Sequence, residues 1–195
     1  PGEACYIPLA HKAGASNDLF LTDSLAEGQL PLVDVLGALK PILEDPAILK
    51  IGQNMKYDAK IFARNGIRVH PIDDTMLISY ALHAGLHGHG MDALSERYLS
   101  HSPIPIKKLL GSGKSAITFD RVSIEDAIPY AAEDADITLR LWQVLKPRLH
   151  QKRVTRVYEN LERPLVPVLA EMEMTGIKVD RDTLSRMSNM FAQKM

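Results

Sequence analysis

The sequence is poor in cysteine and in aromatic residues. Of its 195 residues, Cys5 is the single cysteine and aromatic side chains make up 6%. One cysteine excludes an internal disulfide and a cysteine-based zinc site, and it is typical of a reducing compartment. Cys5 lies in a short apolar run, which predicts a buried strand residue rather than a reactive thiol. Because no run is long enough to span a membrane and no secretory signal is visible, we expect a cytoplasmic protein without a membrane partner.

The sequence also lacks an excess of charge of either sign. It has 23 Lys and Arg against 24 Asp and Glu, so the net charge is -1. This balance disfavours a strongly basic binder of duplex DNA, but a local basic patch could still contact nucleic acid. With 46% hydrophobic residues the chain can form a sizeable core. It begins with Pro1 and carries no helix-stop signal at its end, so we expect it to start and stop inside a longer protein.

The hydrophobic pattern predicts an α/β layer followed by an all-helical tail, with a boundary near residue 150. Strands are expected at 4–9, 48–52 and 67–72. Helices are expected at 31–43, 55–65, 75–83, 91–99, 123–147 and 157–174 and from 181 onward. The stretches 12–29 and 100–121 are expected to be mostly loop.

The first candidate for a functional segment runs from Gly52 to Asp58, where a strand ends and a helix begins. Ligands of open α/β sheets bind at such strand ends. Asn54 is also a good helix cap, and the helix dipole favours a carboxylate such as Asp58 in the first turn. On these grounds alone, a structural and a functional role both stay open for Asp58.

The second candidate lies on the long helix expected after residue 123. Tyr130 and Asp134 are four residues apart and share one helix face. A phenol and a carboxylate placed in this way could hold a metal-bound water, and Mg²⁺ or Mn²⁺ prefers oxygen ligands. The alternative is that Glu133, Asp134 and Asp136 form a solvated acidic face.

Taken together, the patterns Asn-x-x-Tyr-Asp and Tyr-x-x-x-Asp resemble the second and third motifs of the DEDDy 3′–5′ exonucleases. The chain further resembles the proofreading domain of bacterial family A DNA polymerases, the DNA polymerase I family. The segments that carry this resemblance are 51–67, 73–82, 91–99 and 128–142. The stretch 158–180 is similar to the segment by which those polymerases enter the polymerase domain, and it separates this interpretation from RNase D-type ribonucleases.

The resemblance implies a ribonuclease H-like exonuclease domain over 1–149, lacking its first strands, and the first polymerase helices over 150–195. It implies that Asp58 and Asp134 bind Mg²⁺ or Mn²⁺ and that Tyr130 orients the attacking water. Asn54, Tyr57 and Ile106 would contact the substrate strand. The implied partners are a single-stranded DNA 3′ end, primer-template DNA and the remainder of a bacterial, nucleoid-associated polymerase chain.

Two departures from the family pattern qualify these expectations. The Asp-x-Glu of the first motif is absent from the sequence, so we expect this chain alone to be inactive as an exonuclease. Ile106 stands where the family often has an aromatic residue. The alternative is a non-catalytic module of the same fold that supports the polymerase or binds single-stranded DNA, and a weaker alternative is an RNase D-like ribonuclease.

Other polar groups leave two interpretations open. Asp74 could be a helix cap or a substrate-side residue. A histidine metal site around 83–101 is conceivable, although a solvent-exposed loop is the simpler interpretation. A basic group near the domain boundary could contact DNA phosphates or form a solvated linker. Its members are Lys146, Arg148, Lys152, Arg153 and Arg156.

Overall fold

The computed structural model describes residues 3–13 and 24–194. Its strands are β1 Lys50–Gly52 and β2 Ile72–Asp74. Its α-helices are α1 Leu32–Glu44, α2 Met55–Arg64, α3 Thr75–His83, α4 Met91–Leu99, α5 Ile106–Leu110, α6 Ile124–Gln151, α7 Thr155–Val157, α8 Arg163–Thr175 and α9 Arg181–Lys194. Short 3₁₀ turns cover Gly113–Ser115 and Phe119–Arg121, and a π-helical segment covers Tyr158–Glu162. Part of the loop expected at 12–29 lies outside the described residues.

The two strands form a parallel pair joined by α2. Lys50 lies opposite Ile72 and Gly52 lies opposite Asp74. A parallel pair needs a crossover connection, which α2 provides. The carboxyl ends of both strands therefore lie side by side, and α2 and α3 both begin at this edge.

Two of the strand predictions are wrong in the described part of the chain. Residues 4–9 form no strand, and Cys5 is exposed rather than buried. A strand needs a neighbour for its backbone hydrogen bonds, and the described residues offer none to this stretch. The strand expected at 67–72 begins only at Ile72, because its partner β1 is three residues long. The buried Ile67 is in the coil that follows α2.

The helix predictions are confirmed in their main bounds, since capping residues mark them. Ser123 accepts a hydrogen bond from the Asp126 amide at 3.1 Å and starts α6. Gly176, at φ +77°, ends α8 in a conformation that favours glycine. The loop expected at 100–121 also contains the short helix α5 and the two 3₁₀ turns. No helix in the described ranges combines the length and apolar character needed to cross a membrane.

Two apolar clusters hold these elements together. The larger cluster joins α3, α4, α6 and the π-helical segment. Its buried members are Ile78, Leu94, Ile137, Leu141, Leu145, Leu149 and Tyr158. The four residues of α6 recur every fourth position, which is the spacing of one helix face. The smaller cluster places Val166 of α8 against Met55 and Ile72, so α8 packs on α2 and β2.

The helix between 155 and 175 is interrupted by the π-helical segment Tyr158–Glu162. Pro164, in the first turn of α8, has no backbone N–H to donate, so regular α-helical bonding cannot continue through it. The interruption lies where the Tyr158 side chain is fully buried against β2.

The Tyr158 hydroxyl belongs to a buried network around Asp73, which is 0% exposed. Tyr158 donates to Asp73 Oδ1 at 2.9 Å, and the Asp74 amide donates to Tyr158 at 3.0 Å. From α6, Trp142 Nε1 donates to Asp73 Oδ2 at 2.7 Å and Lys146 Nζ lies 2.9 Å away. Arg163 of α8 adds a second cation at 3.3 Å. The network connects β2, α6 and α8.

The network sets the protonation of Asp73. Burial by itself would raise the pKa of this carboxyl. The hydrogen bonds from Trp142, Lys146 and Tyr158, with the charge of Lys146, outweigh burial and hold the pKa below its usual value. Asp73 is therefore a satisfied, charged structural group.

Candidate active site

Asp74 organises the edge where both strands end. Its Oδ1 accepts from the Asn54 amide at 3.0 Å and its Oδ2 from the Met55 amide at 2.8 Å. Oδ1 also accepts from the Met76 amide at 2.9 Å and the Leu77 amide at 3.4 Å. One carboxylate thus caps the N-termini of α2 and α3 together. Because Asp74 is 1% exposed, the cap interpretation holds over a substrate-side role.

Asn54 does not cap α2 with its side chain. It occupies the N-cap position at φ +59°, its side chain makes no capping hydrogen bond, and the residue is exposed. Asparagine tolerates this left-handed conformation better than most residues. Since Asp74 has taken over the cap, the Asn54 side chain is available at the surface beside the exposed Tyr57.

Asp58 lies in the first turn of α2 and is half-buried. Burial raises the pKa of this carboxyl, and the nearby charge of Asp74 raises it further. The carboxylate therefore has a negative neighbour and forms no ion pair within 3–13 and 24–194, which is the electrostatic setting that a bound cation would relieve.

Tyr130 and Asp134 come together on α6, as their spacing predicts. Burial, then the charge of Asp134 and a hydrogen bond with it, raises the pKa of Tyr130 to about 12. Burial likewise raises the pKa of Asp134 to about 6, although the Tyr130 hydrogen bond lowers it. The charges of Glu133 and Asp92 add to the rise. Like Asp58, Asp134 forms no ion pair with any residue in the described part of the chain.

The acidic run of α6 divides into three different environments instead of forming one solvated face. Glu133 contacts His101 Nε2 at 2.7 Å and accepts from the Ile104 amide at 2.7 Å. Asp136 pairs with Arg140 at 3.3 Å. Asp134 lies beside Tyr130, and burial raises the pKa of its carboxyl.

Two neighbours of this pair were missed by the sequence reasoning. Asp92, in the first turn of α4, acts on the pKa of both Tyr130 and Asp134. The Phe119 ring lies 6.0 Å from the Tyr130 ring. Neither residue is close to Tyr130 in the sequence. Asp92 comes near it because α4 packs on α6, and Phe119 comes near it from the 3₁₀ turn Phe119–Arg121. Ile106 opens α5, which contacts α6, and it is 44% exposed.

The donor chemistry of Asp58 and Asp134 fits a hard divalent cation. Both supply carboxylate oxygens, and burial is the largest cause that raises the pKa of each. The charged neighbours that add to the rise differ: Asp74 acts on Asp58, whereas Glu133 and Asp92 act on Asp134. Across 3–13 and 24–194, no group of three or more His, Cys, Asp or Glu side chains could hold a metal ion. The described residues therefore offer an incomplete ligand set.

The greater part of the chain matches a known family. A family model for the 3′–5′ exonuclease of DNA polymerase A matches residues 1–150. The chain belongs to this 3′–5′ exonuclease family.

Individual relatives agree with this assignment. DNA polymerase I of Rhizobium leguminosarum is 56% identical over 97% of this chain, which corresponds to 18% of that protein. The chain spans about a fifth of the length of the curated relatives that it matches. The POL domain of Pol1 from M. smegmatis, in complex with DNA primer-template and dNTP, is 24% identical. It matches with a TM-score of 0.66 over 87% of this chain and 26% of that one. Brucella melitensis NrnC with bound Mg²⁺ is 25% identical, with a TM-score of 0.58 over 73% of this chain and 67% of that one.

Proposed function

We propose that this chain is a segment of a bacterial DNA polymerase I. In this proposal, 1–149 belong to the proofreading exonuclease domain and 150–195 begin the polymerase domain. The whole protein would hydrolyse DNA from its 3′ end with a divalent metal and would also carry out DNA-directed DNA synthesis. The match of the exonuclease family to 1–150 supports the boundary. The observation that carries the proposal is this family match, and within the matched region Tyr130 and Asp134 lie four residues apart on α6.

In the proposed site, Asp58 and Asp134 hold Mg²⁺ or Mn²⁺ together with ligands from outside the described residues. A bound divalent ion would supply a Lewis acid for phosphodiester hydrolysis. Because the sequence lacks the Asp-x-Glu of the first motif, the 195-residue chain is expected to be inactive by itself.

Tyr130 acts as a positioning group for the attacking water. With a pKa of about 12, its hydroxyl keeps its proton at neutral pH and is not a general base. The Tyr130 hydroxyl lies near the Asp134 carboxylate and keeps an oxygen lone pair that could accept a hydrogen bond from a water. With a pKa of about 6, Asp134 is ionised at pH 7 and above and becomes neutral in acid.

The substrate strand would lie across the surface formed by Asn54, Tyr57 and Ile106. Asn54 and Tyr57 are exposed on the first turns of α2, next to Asp58. Ile106 presents an aliphatic surface, which gives weaker base stacking than an aromatic ring. The partners are then a single-stranded 3′ end, a primer-template and the rest of the polymerase chain.

The test is exonuclease activity of the full-length protein on a mismatched primer terminus with Mg²⁺. Asp134→Ala removes a metal ligand worth several kcal/mol, so we expect a loss of about a thousandfold. Asp58→Ala should behave similarly. Tyr130→Phe should lose roughly tenfold to a hundredfold, because only positioning is affected.

Asp136→Ala is the matched control, since it removes the same charge from the same helix at a residue paired with Arg140. It should keep the wild-type exonuclease rate, and every variant should keep DNA synthesis. An Asp134→Ala enzyme that still releases mononucleotides would refute the site. A wild-type protein that binds single-stranded DNA without hydrolysis would support the non-catalytic alternative instead.

A further inference from the structure

A cluster of positive charge lies at the end of α6 away from Asp134. We call it the basic patch: His83, His87, Arg97, Arg148 and Lys152. His83 is the last residue of α3, His87 lies in the following loop, and Arg97 is on α4. Arg148 and Lys152 belong to the end of α6. Packing of α3 and α4 on α6 brings these separate segments to one surface.

Ring contacts fix the geometry of the basic patch. The His83 and His87 rings are 5.4 Å apart, and the His83 ring stacks on Tyr98 at 6.4 Å. The guanidinium of Arg148 lies over the Tyr98 ring at 4.8 Å, a cation–π contact that holds the arginine in place. The half-buried Tyr98 ring therefore holds the side chains of His83 and Arg148 in place.

The positive charge of the basic patch is not neutralised within the described residues. Arg97, Arg148 and Lys152 form no ion pair with any residue that the structure describes. The pKa of His83 lies below its usual value, first because of burial and then because of the charges of His87, Arg97, Lys152 and Arg148. His87 Nε2 is enclosed and has no hydrogen-bond partner among the described atoms.

The structure therefore divides the basic group that the sequence places near residue 150. Lys146 is committed to Asp73 and Glu159, at 2.9 and 2.8 Å, and has a structural role. Arg148 and Lys152 point to the basic patch, where Arg97 joins them from a different part of the sequence. Arg153 and Arg156 are exposed and do not act on His83.

We propose that the basic patch binds phosphate groups of a DNA strand, at a place separate from the exonuclease site. Convergent unpaired cations, including two arginines whose planar guanidinium matches phosphate oxygens, are the chemistry that recognises a phosphodiester backbone. Arg148 follows Asp134 by fourteen residues on one helix, which is about 21 Å at 1.5 Å per residue. The choice of DNA as ligand rests on the proposed function.

The test measures fluorescence anisotropy of a labelled 30-nucleotide single strand with the full-length protein over a range of NaCl concentrations. The double variant Arg148→Gln/Lys152→Gln should weaken binding. Since each lost phosphate contact lowers the salt slope by roughly 0.7 for a single strand, the double variant should lower it by roughly 1.4. The control Arg153→Gln/Arg156→Gln changes the net charge equally and should leave the slope unchanged.

A second readout separates this proposal from the exonuclease assignment. The patch variant should lose cleavage efficiency on the long strand but keep the wild-type rate on a dinucleotide, which is too short to bridge 21 Å. If neither the wild type nor the variants cleave either substrate, the exonuclease assignment fails. The binding measurement still tests the patch proposal in that case.

Three results would overturn the patch proposal. Equal weakening by both double variants would show a nonspecific effect of net charge, and unchanged binding would show that DNA does not reach the patch. A fall in thermal stability confined to the patch variant, with unchanged DNA affinity, would show that these cations act structurally, through contacts such as that of Arg148 with Tyr98, and not in phosphate binding.

Discussion

Asp73 of β2, which faces the second half of α6, and Asp134, which lies in the first half of α6, have opposite surroundings. Asp73 receives Trp142 and Lys146 from the second half of the helix, and its pKa is lowered even though burial opposes this. Asp134 lies in the first half beside Glu133 and Asp92, and its pKa is raised to about 6. Both are acidic residues of one small domain, yet the first is neutralised by its partners and the second is not.

The opposite pKa shifts distinguish a structural carboxylate from a candidate metal ligand. A buried carboxylate whose cations and donors are all in place stabilises the fold. A carboxylate held among other acids is destabilised in the empty protein, and this arrangement is typical of a site that recruits a cation. Perturbed pKa values alone would not distinguish them, but the direction of each shift and its cause do.

The largest expected effect on the free energy of unfolding comes from removing the charge of Asp73. Asp73→Asn keeps the shape of the side chain but removes the charge that pairs with Lys146 and Arg163. Loss of one partner of a buried ion pair typically destabilises by about 3–5 kcal/mol, and we expect about 3 because both cations are partly exposed. Urea denaturation at pH 7 measures this loss.

The pH dependence of that loss has a definite sign. Because the folded pKa of Asp73 is lowered, its contribution is present above the ordinary carboxyl pKa and disappears as pH falls through the folded value. The difference between Asp73→Asn and wild type should therefore shrink in acid. Asp136→Asn, which breaks an exposed pair, should show little change at any pH. Equal stability of Asp73→Asn and wild type at pH 7 would contradict the structural role.

A smaller effect on stability, of opposite sign, is expected when the charge of Asp134 is removed. Asp134→Asn should stabilise the metal-free protein at pH 7 by about 1–2 kcal/mol, a value below the full conversion of the pKa shift because the site is partly solvated. If Asp134→Asn is more stable and has also lost exonuclease activity, then the wild-type carboxylate lowers stability in order to serve function. Urea denaturation in a chelating buffer measures it.

The sign follows from linkage. The folded pKa of Asp134 is about 6, against 3.8 for the free group. Wild-type stability from this residue is therefore fully present below pH 3.8 and is lost as pH rises through about 6. The advantage of Asp134→Asn should appear between these values and level off above them. An advantage that grows toward low pH would exclude this carboxyl as its source.

Local signals allowed much of this arrangement to be predicted. Capping residues and i,i+4 spacing gave the helices and the Tyr130–Asp134 pair, because these depend on near neighbours in sequence. The Asp73–Tyr158 contact joins residues 85 positions apart, and no local pattern contains it. The position of Asp92 depends likewise on the packing of α4. The strand expected at 4–9 failed for the same reason, since a strand depends on a partner that its own sequence does not contain.

The smallest effect tests whether burial, rather than the number of cations, gives Asp73 its importance. Glu173 of α8 also contacts two cations, Lys56 and Lys60 of α2, each at 2.5 Å, but its side chain is 41% exposed. Solvent already stabilises all three charges, so the ion pairs add little. Glu173→Gln should leave the melting temperature within experimental error of wild type, although Glu173 joins α8 to α2. If instead Glu173→Gln destabilised the protein as strongly as Asp73→Asn, then contact between α8 and α2 would depend on charge pairing at the surface. The packing of Val166 against Met55 and Ile72 argues against that outcome, because this apolar contact persists when the charges are removed.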